Sequence, residues 1–254
     1  MQYSEEQLWD YETDRLQWLD RADKLRDTVL LWLFRSARAE EIARTGLVRR
    51  IGYLEHALVR LSEVYPPNLT GASRDIVRDA ELLLQAFVMN VFGAIDNLAF
   101  IWALERNVTA PNGRQLSKQE TVFIGHRGKQ IRESLTPKVR STIDSASEWF
   151  KLIGAYRHGV AHQIPIYIPR LLTKKDQQEA EGFDLALKAA FAGGDHSKWG
   201  ELFDKRHKLG DFGGLMALDG VENPLVLHAQ VVCDLATVVE LGEVIFKELH
   251  APRN

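Results

Sequence analysis

Between Leu82 and Leu104 the chain reads LLLQAFVMNVFGAIDNLAFIWAL, a segment that as a helix is apolar on nearly every face. A helix of that kind is a buried spine, and it needs other helices around it. From about Ser4 to Tyr65 apolar residues recur at three- and four-residue spacing, as at Leu8, Tyr11, Leu16 and Leu19, then Leu47, Ile51, Leu54, Leu58 and Leu61. This is the period of amphipathic helices. YPPNLTG ends that region, and Ser73 is placed to cap a second long helix that runs to about Asn107 with the apolar segment at its centre.

APNGRQLS is a turn-rich break, after which Ser117 and Glu120 have the spacing of a capping box opening a short basic helix. Thr136 and Pro137 start another helix, which carries STIDSASEWFKLIGAYRHGVAH up to the proline-flanked IPIYIP. IPIYIP is too rich in proline for a central strand but suits an edge strand, with GLMAL at Gly214 to Leu218 as its partner. Between them, from about Thr173 to Gly213, lies a charged insertion with helical stretches. Asn223 and Pro224 then cap a final helix, LVLHAQVVCDLATVVELGEVIFKEL, whose apolar face completes a bundle. The expected fold class is all-α, a helical bundle with at most a small β-hairpin. The expected organisation is an N-terminal helical extension over 1–70 and a bundle over 71–254, with an insertion at about 164–222.

At 254 residues and 45% apolar the chain can bury a substantial core, and a formal charge of −3 argues against a surface that coats nucleic acid indiscriminately. The single cysteine, Cys233, builds neither a disulfide framework nor a cysteine-based zinc site within one chain. MQYSEEQLWD lacks a basic start followed by an apolar region, and no apolar run is read as approaching the ~18 residues that span a bilayer. A cytoplasmic protein without a membrane partner is expected. His56, His126, His196, His207, His228 and His250 form no metal-ligand spacing, and there is no phosphate-loop or dinucleotide fingerprint, so neither metal nor cofactor is expected.

YRHGVAHQIP, Tyr156 to Pro165, places an arginine and two histidines within six residues at a helix end. On a helix His158 and His162 are neighbours, and Arg157 lies about 140° around the axis from His162. Cationic side chains there offset the helix dipole and bond the last carbonyls. Histidines four apart also suit zinc, but the metalloprotease pattern requires Glu directly after the first, where this chain has Gly159.

The stretch resembles the arginine, four residues, histidine signature of the HEPN superfamily, in which the arginine is commonly followed by a polar residue, here His158. HEPN proteins are helical bundles that carry the motif at a helix end in the second half of the domain. A preceding helix often bears a buried acidic or amide residue, for which FGAIDNLAFIW offers Asp96 and Asn97. The resemblance covers roughly Ser73 to Gln163 and the last helix. It implies a metal-independent endoribonuclease with Arg157, His162 and His158 as catalytic residues and Asp96 and Asn97 in support. It also implies a homodimer whose two motifs face one cleft, and a product ending in a 2′,3′-cyclic phosphate.

The residue types suit that chemistry. A histidine titrates near neutrality and can take the 2′-hydroxyl proton, while an arginine fork meets phosphate oxygens with two charge-assisted hydrogen bonds. Asp96 is placed near Arg157 or His162, where its charge finds a partner. From Arg114 to Arg140 the bases Arg114, Lys118, Arg127, Lys129, Arg132, Lys138 and Arg140 face only Glu120 and Glu133. This is an RNA track, with Arg127, Lys129 and Arg132 as candidate contacts, or equally a solvated helix face. Trp102 and Trp149 stand at core spacing. The function expected is a toxin or antiviral-defence effector that cuts RNA under the control of an inhibitor or regulatory partner protein. The alternative is a catalytically silent HEPN-like module that binds nucleotide or RNA or serves in assembly.

Overall fold

The structure, a computed structural model, describes residues 3–162, 164–218 and 224–250, apart from the side chains of His158, Val160, Ala161 and His162. Helix α1 (Glu5–Leu31) opens on a reciprocal cap: Gln7 N–H donates to Ser4 Oγ at 3.2 Å, and Ser4 N–H to Gln7 Oε1 at 2.9 Å. Its end is one break that the hydrophobic spacing does not announce. The backbone turns extended at Trp32, and Glu105 from the next long helix accepts the N–H groups of Arg35 and Ser36, each at 3.1 Å. Ser36 then caps α2 (Ala37–Glu41), which runs through a π-helical stretch, Ile42–Leu47, into α3 (Val48–Val64). Tyr65 leaves the helical region ahead of Pro66, as a residue before proline prefers.

Helix α4 (Arg74–Glu105) starts where Ser73 Oγ accepts the Ile76 N–H at 3.3 Å. Leu84, Phe87, Val91, Ala94, Leu98, Ile101 and Trp102 are essentially inaccessible, because α3, the π-helical stretch and the elements named below cover several faces at once. The expectation that no apolar run approaches membrane-spanning length is corrected here. By length and composition alone α4 passes that test, with a mean hydropathy of 1.6 over its most apolar window, of which 61% is buried inside the fold. The reason is that Gln85, Asn90, Asp96 and Asn97 interrupt the run with polarity but hardly with charge.

The chain then passes a 3-10 turn at His126–Gly128 and forms α5 (Lys129–Ser134), α6 (Pro137–Ser145) and α7 (Ser147–His162). Two expectations change. Ser117 N–H does donate to Glu120 at 2.8 Å, yet what it closes is a turn, since Arg114 grips the same carboxylate at 2.9 and 3.0 Å and Gly125 takes a φ of 90° before any helix begins. The helix begun by Thr136 and Pro137 is two helices, parted at Ala146.

Strand β1 (Arg170–Leu171) leads into an antiparallel helical arm, α8 (Lys174–Ala192) and α9 (His196–Arg206), and pairs antiparallel with β2 (Asp211–Phe212) at its base. IPIYIP and GLMAL meet through one antiparallel bridge, Tyr167 with Ala217, at 3.1 and 2.9 Å. Strand β3 (Leu215–Met216) pairs with β4 (Leu225–Val226), so α10 (Leu227–His250) opens at Leu227 and not directly after Pro224. Asn223, the expected cap, lies outside the described residues.

The protein is all-α with minor two-residue strands, and one apolar core joins Leu25 and Val29 of α1, Leu54 and Leu58 of α3, the α4 spine, Ile153 and Tyr156 of α7, and Val231, Leu235 and Val238 of α10. Each such side chain contributes on the order of 1.5–3 kcal/mol on burial. A buried imidazole and a buried carboxyl lie against that core. His228 donates Nε2–H to the Tyr65 carbonyl at 2.7 Å among the rings of Tyr3, Tyr11 and Tyr65, and burial pushes its pKa down to about 4. Asp234 Oδ1 accepts from Trp149 Nε1 at 2.7 Å and from Gln230 Nε2 at 2.6 Å, binding α7 to α10; its Oδ2 has no partner among the described residues, and burial pushes the carboxyl up to about 7.

The linkage has a definite sign. The folded chain holds the Asp234 proton above the pH at which the unfolded chain releases it, so this contribution is complete below about pH 4 and is lost as pH rises through about 7. His228 acts oppositely: the unfolded chain takes up its proton first, so stability is lost as pH falls from about 6.5 toward 4. Asp234→Asn keeps an acceptor for Trp149 and removes the first effect alone. Denaturant unfolding of both proteins at several pH values is expected to show the variant gaining on wild type from pH 5 to 8, by up to ~1.4 kcal/mol per pH unit. Parallel profiles contradict a buried protonated carboxyl.

Candidate functional site

The motif lies at the C-terminal end of α7, whose inward face is fixed by Ile153 and Tyr156. Arg157 follows on the exposed side, and its guanidinium carbon lies 4.3 Å from the centroid of the Phe92 ring on α4. That is cation–π distance, and it holds the long side chain against a rigid helix. Gly159 is buried because the chain folds back over it. A Cβ there would meet Leu218 Cδ1 at 2.6 Å and the Ile164 carbonyl oxygen at 3.0 Å. On the return, Ile168 N–H is tied to Glu81 of α4 at 2.9 Å. The side chains of His158 and His162 lie outside the described residues.

Asp96 stands one turn beyond Phe92 on α4, on the same side as the Arg157 contact. Burial pushes its pKa up, while the charges of Arg157, then Lys118, then Arg50 pull it down. Arg157 of α7, Lys118 of the connection after α4 and Arg50 of α3 thus act on this half-buried carboxyl through their charge. Asn97 has partners of its own. With its amide oriented to satisfy both ends, it donates to the Gly93 carbonyl at 3.1 Å and accepts the Leu47 N–H at 2.9 Å. It thus engages the π-helical stretch, and Gly46 makes the room, since a Cβ there would sit 2.5 Å from that amide.

The candidate RNA contacts are each engaged locally. Arg127 donates to Gln119 at 3.2 Å, Lys129 is 3.7 Å from Glu133, and Arg132 is 2.7 Å from Asp144. These are exposed pairs of small net energy, which a stronger anion can displace. Lys118 is the member of that basic segment whose charge reaches Asp96. Trp102 is buried with Nε1 on Ser134 Oγ at 3.0 Å, and Trp149 holds Asp234, so both serve packing. Among the described residues no group of three His, Cys, Asp or Glu side chains is placed to hold a metal.

Sequence reasoning missed Arg50 and Phe92. The signal for Arg50 was Gly93: a glycine inside a long apolar helix marks a close approach, and a Cβ at Gly93 would lie 2.2 Å from Arg50 Cζ. Comparison with family models, with curated proteins and with solved structures finds no match to this chain. The site therefore stands on its own geometry.

Gly159→Ala tests the fold-back that closes the motif. Alanine gains ~1 kcal/mol of helix propensity, but overpacking against the Ile164 carbonyl and Leu218 costs ~1–3 kcal/mol. Thermal unfolding is expected at a lower temperature, with faster amide exchange at Tyr167 and Ala217. A higher melting temperature contradicts the close approach.

Proposed function

We propose that this chain is a metal-independent endoribonuclease of the HEPN type, acting in the cytoplasm as a homodimer and serving as a toxin or defence effector under a regulatory partner. The observation that carries this reading is the Arg157 guanidinium, seated on Phe92 beside Asp96 at the end of the helix that also bears His158 and His162. A fixed guanidinium and an imidazole on one helix end are the two groups that transesterification of RNA requires.

In the proposed reaction a histidine of the motif accepts the 2′-hydroxyl proton as the 2′-oxygen bonds to phosphorus. The bond from phosphorus to the 5′-oxygen breaks, and that oxygen takes a proton from the motif of the second protomer. The products are a 2′,3′-cyclic phosphate and a 5′-hydroxyl. Arg157 binds the non-bridging oxygens, where charge accumulates. Asp96, whose pKa burial raises against the opposing charges of Arg157, Lys118 and Arg50, acts on the Arg157 side of the site through space.

Arg157→Ala and His162→Ala are each expected to lose ~10²-fold or more of RNA cleavage while remaining folded. Arg157→Lys recovers little, because an ammonium lacks the fork. His158→Ala equals His162→Ala if His158 is the base, and loses less if it orients substrate. Wild-type-rate cleavage by His162→Ala, or tight RNA binding without any cleavage by wild type, overturns the assignment and leaves the silent binding module. Light scattering at micromolar concentration is expected to give a dimer.

A further inference from the structure

Phe92 and Gly93 are successive residues of α4, about 100° apart around its axis, and Asp96 comes one turn later on the face between them. Arg157 arrives from α7 and lies over Phe92, while Arg50 arrives from α3 and lies over Gly93. The two guanidinium groups therefore lie on either side of the Asp96 position on the helix, and the charge of each acts on its carboxyl. Arg50 is held flat: Gly93 leaves no Cβ beneath it, and its Nη1 donates to Asn90 Oδ1 at 3.2 Å. The Asn90 amide is itself fixed through Nδ2 to the Ala86 carbonyl at 2.8 Å. Among the described residues that is the one hydrogen bond of the Arg50 side chain, so most of its five donors stay available.

We propose that Arg50 is a second phosphate clamp: it binds the phosphodiester next to the one held by Arg157, so that the site takes single-stranded RNA through two neighbouring phosphates. This deepens, and rests on, the ribonuclease reading. The α4 surface sets the spacing: Arg157 is seated on Phe92 and Arg50 over Gly93, with the Asp96 position between them. A cation recruited only to cover the helix needs neither a glycine beneath it nor a fixed asparagine. Arg50 is a substrate-binding residue in this proposal, since the reacting atoms lie on the Arg157 side.

The test uses the full chain and a fluorescein-labelled 2′-O-methyl oligoribonucleotide, which binds without offering a 2′-hydroxyl, read by anisotropy over a salt series. Arg50→Ala is expected to weaken binding about tenfold or more and to lower the salt slope by about 0.7, the contribution of one single-strand phosphate contact. Gly93→Ala keeps the arginine and favours the helix, yet its methyl pushes the guanidinium away, so a similar loss of affinity is expected from a protein at least as stable. Arg50→Lys is expected to restore the slope but not the affinity. With the cleavable oligoribonucleotide, Arg50→Ala is expected to raise KM while kcat stays within a few-fold of wild type. Unchanged affinity and slope in Arg50→Ala overturn the clamp, as does a loss in Arg50→Ala that Gly93→Ala does not share, which is charge without position. Binding that depends on Arg50 and Gly93 in a wild-type protein that cuts no RNA retains the clamp and discards the nuclease.

Discussion

The structure depends on covering α4. Its stretch from Leu82 to Leu104, in which Asp96 is the single charged residue, is unstable in water as a helix unless its faces are buried, and α3, α7, α10 and the π-helical stretch bury them. Within the apolar centre of α4, polar side chains gather between Asn90 and Asn97, where the covering helices leave space for them. Each polar position there is used. Asn90 fixes Arg50, Gly93 admits its guanidinium, Phe92 supports Arg157, Asp96 gathers the cations and Asn97 takes the Leu47 N–H.

The π-helical stretch connects this surface to the core. A π turn carries an extra residue and weakens the regular ladder, and such turns persist where something stabilises them. Here the Asn97 amide does so, and Gly46 gives it room. The insertion also shifts the phase of everything after it by one residue, so the face that α3 turns to α4, and with it Arg50, depends on that bulge. Asp234 has a comparable role on the other side: through Trp149 it fastens the motif helix to α10. Beyond the shared apolar core, a buried carboxyl thus ties α7 to α10, and a half-buried amide ties α4 to the π-helical stretch that leads into α3.

Much of this was legible in the sequence where periodicity and caps carry the information. Ser73 begins α4, Thr136 and Pro137 begin α6, and the IPIYIP segment meets GLMAL. Long-range contacts could not be read. Glu105 takes the N–H groups of Arg35 and Ser36 from seventy residues away and breaks the first helical region, and no local signal shows it. Ser117 and Glu120 have the right spacing for a helix cap, but Arg114 takes up the same carboxylate in a turn. In the site, Arg157 with Asp96 was legible as a buried charge needing a partner. Arg50 was not, because the clue lay in a glycine on another helix.

The central claim is that the site performs chemistry on an RNA 2′-hydroxyl without a metal. The most direct measurement incubates wild-type protein, in excess chelator, with two oligonucleotides of one sequence, one all-ribose and one all-2′-deoxy, and analyses the fragment ends by mass spectrometry. The account predicts cleavage of the ribose strand only, with 2′,3′-cyclic phosphate and 5′-hydroxyl ends. Cleavage of the deoxy strand, linear phosphate ends produced directly, or activity abolished by the chelator contradicts it.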